Sequence, residues 1–124
     1  MPEQPSADPL TQVLQELRRR RGDVIGVAIA SVDGFPIASD VPPDVEGEEL
    51  AALSAELFSQ SSRSSTQFGG GDLTELYARG EQGYLVVMKA GEEGLLVCLA
   101  AAEASLGMLM VELRKAAEQV EEQL

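Results

Sequence analysis

Between Val24 and Val32 the chain reads Val-Ile-Gly-Val-Ala-Ile-Ala-Ser-Val, and Asp33-Gly34 follows at once. β-Branched residues dominate the run and favour a strand, while Asp-Gly supplies the backbone geometry of a tight hairpin turn. The returning strand is Phe35-Pro36-Ile37-Ala38-Ser39. Pro36 removes one ladder donor there, a loss that is tolerable beside a turn. Alternation places Ile25, Val27 and Ile29 on one face of the first strand and Gly26, Ala28 and Ala30 on the other. The small residues on that second face let a helix approach closely, so both faces of this hairpin read as covered.

The flanking segments supply those covers. A short lead over residues 1–7, read as flexible, precedes Asp8-Pro9, an N-cap and first-turn pair, and Leu10, Val13, Leu14 and Leu17 then recur at helical spacing. This helix is expected to end near Gly22 with Arg18, Arg19, Arg20 and Arg21 in its last turn, where positive charge suits the helix dipole. The arginines read as a solvated helix end, with a basic docking patch as the alternative. A second helix is predicted from about Glu46 to Phe68, opening on Glu46, Glu48 and Glu49.

The second helix carries two stripes that look fit for burial. Leu50, Leu53, Leu57 and Phe68 fall on one face, and Ala51, Ala55, Phe58 and Ser62 form a neighbouring strip of mostly small groups, with Ser54 between the two. One stripe is enough to cover a sheet. The small-residue strip therefore predicts a contact with something else, most simply a second copy of the chain.

Gly69-Gly70-Gly71 breaks that helix, and an amphipathic strand is predicted over residues 72–79. The triple glycine is no phosphate cradle, because no Gly-Lys-Ser/Thr follows and the strand comes after the glycines. Two strands apolar on both faces, Tyr84–Lys89 and Leu95–Ala100, follow glycine-rich turns. A final helix begins near Ala104 or Ser105, with Leu106, Leu109, Met110, Leu113, Ala117, Val120 and Leu124 on one stripe. The order is α-β-β-α-β-β-β-α. It gives an α/β chain of the α+β type, a five-stranded antiparallel sheet with helices on both faces, as a single domain over residues 8–124.

Composition narrows the function. At 124 residues one core is expected, closing off roughly two-thirds of the unfolded surface. Histidine is absent, which removes the commonest general base and zinc ligand, and one cysteine cannot make an internal disulfide. That cysteine, Cys98, sits in an aliphatic run and reads as an inert core thiol. The carboxylates fall at a helix start, in a turn and along a solvated helix end, where each has a structural explanation. No catalytic residue, cofactor or metal is expected. A net charge of −12 opposes nucleic acid and anionic membranes and suits a protein partner with basic patches. Reduced cysteine, and no secretory signal or transmembrane stretch, make the cytoplasm the expected compartment.

The run Val24–Ala38 with its Asp-Gly-Phe-Pro-Ile-Ala centre, the long second helix, and Leu106-Gly107-Met108-Leu109 opening the last helix together resemble the Roadblock/dynein light chain family over about residues 8–122. The resemblance implies the profilin-like Roadblock fold. It also implies a homodimer, or a heterodimer with a paralogous Roadblock chain, formed through the second helix and third strand. The expected contact residues are Ala51, Ser54, Ala55, Phe58 and Ser62 on the helix and Leu73, Glu75 and Tyr77 on the strand. The implied role is a non-catalytic regulator or scaffold that binds a small Ras-like GTPase and modulates its nucleotide cycle or location. Arg63 and Arg79 are the candidate partner-binding arginines. The alternative is a light-chain-like adaptor that tethers larger proteins.

Overall fold

The computed structural model describes residues 8–124, so the lead expected over residues 1–7 lies outside the described residues. Asp8 caps the first helix, its carboxylate accepting from the Thr11 backbone N–H at 2.9 Å. α1 (Pro9–Arg20) buries Leu14 and Leu17 and ends at Arg20, where the Arg21 N–H closes on the Leu17 carbonyl. β1 (Val24–Ser31) and β2 (Pro36–Asp40) form the hairpin, with Gly34 at φ +96° in its turn. Then come α2 (Gly47–Gln67), β3 (Glu75–Arg79), β4 (Gly83–Ala90), β5 (Gly94–Ala101) and α3 (Leu106–Gln123). The Ser105 hydroxyl caps α3 by accepting the Met108 N–H.

The five strands lie in the order β2-β1-β5-β4-β3, each neighbouring pair antiparallel. Their sequences explain the order. β1, β4 and β5 are apolar on both faces and take the centre, whereas the short β2 and β3 take the edges, where water reaches their outer backbone groups. On one face α1 and α3 close over Val27, Ile29, Val86, Leu96 and Cys98 with Leu14, Leu17, Leu109, Leu113 and Val120. On the other, α2 sets Ala55 and Phe58 against Ala28, Val87, Leu95 and Val97. The predicted layers are therefore present, with α2 alone on its side.

Three local expectations change. The register between β1 and β5 shifts between Val24 and Gly26, which reverses the alternation at the start of the strand. Val24 joins Val27 and Ile29 under α1 and α3, and Ile25 lies instead beside Leu85 and Leu99, partly open to solvent. At Gly26 the close approach comes from a loop and not a helix: a Cβ there would meet Pro42 Cδ and Val41 Cγ1 at 3.2 Å. The helix approaches at Ala28. The third strand starts at Glu75 and not Asp72, because Gly69 and Gly71 take positive φ and the Ser65 hydroxyl donates to the Gly71 carbonyl, holding residues 68–74 as a loop.

The arginine run is consumed by the fold. Arg18 reaches Asp40 of β2 at 3.0 Å, Arg20 reaches Glu112 of α3 at 3.3 Å, Arg21 reaches Asp23 at 2.7 Å, and Arg19 pairs with Glu16. Each exposed pair adds little stability, but together they give every arginine of the run a carboxylate. They fasten a helix end, as the solvated-end reading expects. Cys98 is fully buried in the layer beneath α1 and α3, and burial pushes its thiol up to about 12. Such a thiol is not a nucleophile at neutral pH.

Candidate interaction surface

α2 turns the opposite strip inward from the one its leucines suggest. Ala51, Ser54, Ala55 and Phe58 face the protomer's own sheet, with Ala51 and Ser54 each 1% exposed. Leu53 is 58% exposed and Leu57 38%, and Phe68 just past the helix is 83% exposed. The reason lies in the relief of the sheet. β1 offers Ala28 and Ala30 there, and the Gly34 turn passes close enough that a Cβ would lie 3.6 Å from the Ala55 Cβ. Small groups on both sides bring the helix down, and leucines at those positions would hold it off. Four of the expected contact residues, Ala51, Ser54, Ala55 and Phe58, thus have almost no surface to give another chain. The leucine stripe has it.

α2 approaches β1 and β2 most closely and β5 less, and reaches β4 only at the Glu75 end of the sheet, where Phe58 and Ser62 lie beside Lys89. Toward the other end of the strands that face is bare and carries an apolar row made contiguous by cross-strand pairing: Ala78 opposite Leu85, Leu85 opposite Leu99, and Leu99 opposite Gly26 with Ile25 beside it. The row floors a concavity of about 480 Å³. Among the described residues β3 pairs only with β4, so its outer edge has backbone donors and acceptors that no described strand meets. Exposed leucines on α2, a bare apolar sheet face and an open edge therefore lie on the same side of the molecule.

The remaining expected residues are divided between faces. Leu73 packs against the layer beneath α2, and Ser62 and Arg63 line a groove with it, Asp72, Lys89 and Glu92, about 410 Å³ in volume. The pleat sends Glu75, Tyr77 and Arg79 to the α3 side, where Tyr77 is 56% exposed and the Arg79 guanidinium lies 5.9 Å from the centre of the Tyr84 ring. Arg63 and Arg79 are not brought together. Neither makes an ion pair among the described residues. Among those residues no cluster of acidic or cysteine side chains fits a metal ion, and no helix is long and apolar enough to cross a membrane.

One ion pair fastens the open edge. Glu75 accepts two hydrogen bonds from Arg114 of α3, Nε to Oε2 at 2.6 Å and Nη2 to Oε1 at 2.9 Å. This bidentate contact holds the Glu75 carboxyl below its ordinary value of 4.5. A carboxylate depressed in the folded state stabilises the fold above its unfolded value, and the contribution is lost as pH falls through the folded one. Glu75→Gln is therefore expected to lose stability at neutral pH and to flatten the decline below pH 4.5. Thermal melts of both proteins across pH 3 to 7, values that bracket the glutamate range of about 4.3, measure this; parallel curves would discount the pair.

Residues 10–100 match the Roadblock/LC7 domain family. The chain belongs to that family. An uncharacterised protein of Methanocaldococcus jannaschii, MJ1340, is 32% identical over 111 residues, covering 90% of this Roadblock/LC7 chain and 96% of that protein. A Roadblock/LC7 domain from Streptomyces avermitilis superposes with a TM-score of 0.85 at 24% identity, over 91% of this chain and 95% of that one. A structure described as MglB with tetrameric arrangement gives 0.84 at 26% identity, over 95% and 91%. Profilin II of Acanthamoeba castellanii gives 0.67 at 15% identity, over 92% and 98%, a likeness of fold alone. The Roadblock/LC7 match stops at residue 100, before α3, yet α3 buries six of its residues against the sheet and α1 and is integral to this member's core.

Proposed function

We propose that this Roadblock/LC7 chain is a non-catalytic cytoplasmic module that pairs with a second copy, or with a related Roadblock chain, along β3 and α2. In that form it serves a small Ras-like GTPase by modulating its nucleotide cycle or its location. The observation that carries the pairing is the apolar surface left exposed on one side of the molecule. Leu53 and Leu57 are exposed on α2, α2 leaves one end of the same sheet face bare, and the outer edge of β3 is paired with no strand among the described residues. A lone protomer exposes all three, and edge-to-edge pairing buries them together. The MglB structure with a tetrameric arrangement gives a self-associating relative of the same fold.

The GTPase reading rests on the family and on the character of the chain. It has no histidine, one buried thiol and a strong negative charge, which suits regulation of a partner better than chemistry of its own. Arg63, on the rim of the α2 groove, and Arg79, on the β3 edge, are the unpaired arginines available to approach a partner's phosphates. An arginine donated to the transferring phosphoryl group raises hydrolysis by roughly 10³ to 10⁵. Single-turnover GTP hydrolysis by Ras-like GTPases of the source cell, with and without this protein, measures the effect. Acceleration that falls about 100-fold or more in Arg63→Ala or Arg79→Ala assigns a donated arginine. Acceleration unchanged in both variants assigns ordering of the GTPase's own residues. No binding and no change in nucleotide hydrolysis or release with any of them would sink the GTPase reading.

A further inference from the structure

Two unpartnered apolar features lie toward opposite ends of the strands. Strand pairing groups Ile25, Leu99, Leu85 and Ala78 at one end of the sheet, and Ser31, Gly94, Ala90 and Glu75 at the other. α2 crosses the second end: its Ala52 and Ala55 lie under Gly34, and its Phe58 and Ser62 flank Leu73 and Lys89. Phe58 packs on Val87 of β4 and Val97 of β5. Phe68 is ten residues further along, roughly 15 Å at a rise of about 1.5 Å per residue. Strands are about 4.8 Å apart and only β3 lies beyond β4, so a helix running across the strands by that length carries its end past the sheet edge. The exposure of Phe68 agrees with an overhang that has none of the described residues beneath it.

Antiparallel pairing of two β3 edges places a two-fold axis perpendicular to the joined sheet. Both copies of α2 then lie on the same face, and the end that α2 crosses in one protomer adjoins the opposite, bare end of the other. We propose that Phe68 of each copy docks on the apolar row Ala78, Leu85, Leu99 and Ile25 of its mate. The concavity over that row is thus completed by an aromatic ring from the second copy. This accounts for a phenylalanine left exposed at a helix end and for an aliphatic row left bare, because each is the other's cover. The inference rests on the β3-paired dimer proposed above.

Cysteine cross-linking tests it with the full chain. Phe68→Cys and Ala78→Cys are prepared separately, mixed, allowed to exchange protomers and treated with a short bis-maleimide. Both positions are exposed in the protomer, and the native Cys98 is buried and unreactive. A product of two chains is expected from the mixture in excess of whatever Ala78→Cys forms by itself across the paired β3 edges, and none from Phe68→Cys alone. In sedimentation, Phe68→Ala is expected to remain folded and to raise the dimer dissociation constant by about 100-fold, since two rings are lost per dimer. A dimer whose affinity is unchanged in Phe68→Ala and whose mixed cysteines give no such excess overturns the docking while leaving the β3 pairing intact. A wild-type chain that sediments as a monomer at high concentration overturns the pairing and the docking together.

Discussion

Ala55→Arg is expected to unfold the chain and not to release a folded monomer. Ala55 is buried between α2 and the sheet, among Ala28, Phe58, Val87 and Val97, with the Gly34 turn against its Cβ. An arginine there overfills a tight layer and places a guanidinium where no carboxylate waits. Overpacking costs about 1–3 kcal/mol, and an unpaired buried charge about 3–5 kcal/mol more. The sum approaches the roughly 5–15 kcal/mol that holds a domain of this size together. Urea denaturation followed by circular dichroism is expected to show loss of the cooperative transition, or a midpoint less than half of wild type. A folded, monomeric variant with the wild-type midpoint would return the small-residue strip to an interface between chains.

Leu57→Arg is expected to do the reverse, leaving the protomer folded and abolishing the dimer. Leu57 lies on the outward stripe of α2 with Leu53, and the protomer already leaves it more than a third exposed, so arginine has room and water there. In the paired form the same position is desolvated twice, once per copy, and the introduced charge has no partner. A loss of several kcal/mol, roughly 10³-fold or more in dissociation constant, is expected on this ground. Sedimentation should find monomer where wild type is dimer, and the melting midpoint of the protomer should move little. Wild-type association in this variant would remove α2 from the contact and leave only the strand edge.

The contrast between those two residues marks how far the sequence could be read. Periodicity identified both stripes of α2 as apolar or small, and it counted one more than a single sheet contact needs. That count is what pointed to a second chain. It could not say which stripe faces inward, because the wheel of a helix records the helix and not the surface it meets. Leucines were the natural choice for the sheet, and the choice failed because Ala28, Ala30 and the Gly34 turn shape a shallow seat that only small residues fill. Of the expected contact residues, Ser62, Leu73, Glu75 and Tyr77 keep some exposure, whereas Ala51, Ser54, Ala55 and Phe58 do not. Leu53 and Leu57 stand exposed on the outward stripe although they were not among the expected contacts, and the exposure of Ile25 follows from the strand register and not from the helix.

What the amino-acid order determined by itself is the sequence of elements, the antiparallel sheet with covers on both faces, and the burial of Cys98. These follow from local signals: the cap at Asp8, the turn at Asp33-Gly34, the glycines after α2 and the alternation within each strand. Tertiary structure alone decided which strip of α2 looks inward, which carboxylate each arginine of Arg18–Arg21 finds, and which way Ile25 points. Each of those depends on groups far apart in the chain meeting at a particular height and register, and a one-residue slip against β5 is enough to turn Ile25 to the other face. Local periodicity carries no information about the height or register of a surface that has not yet assembled.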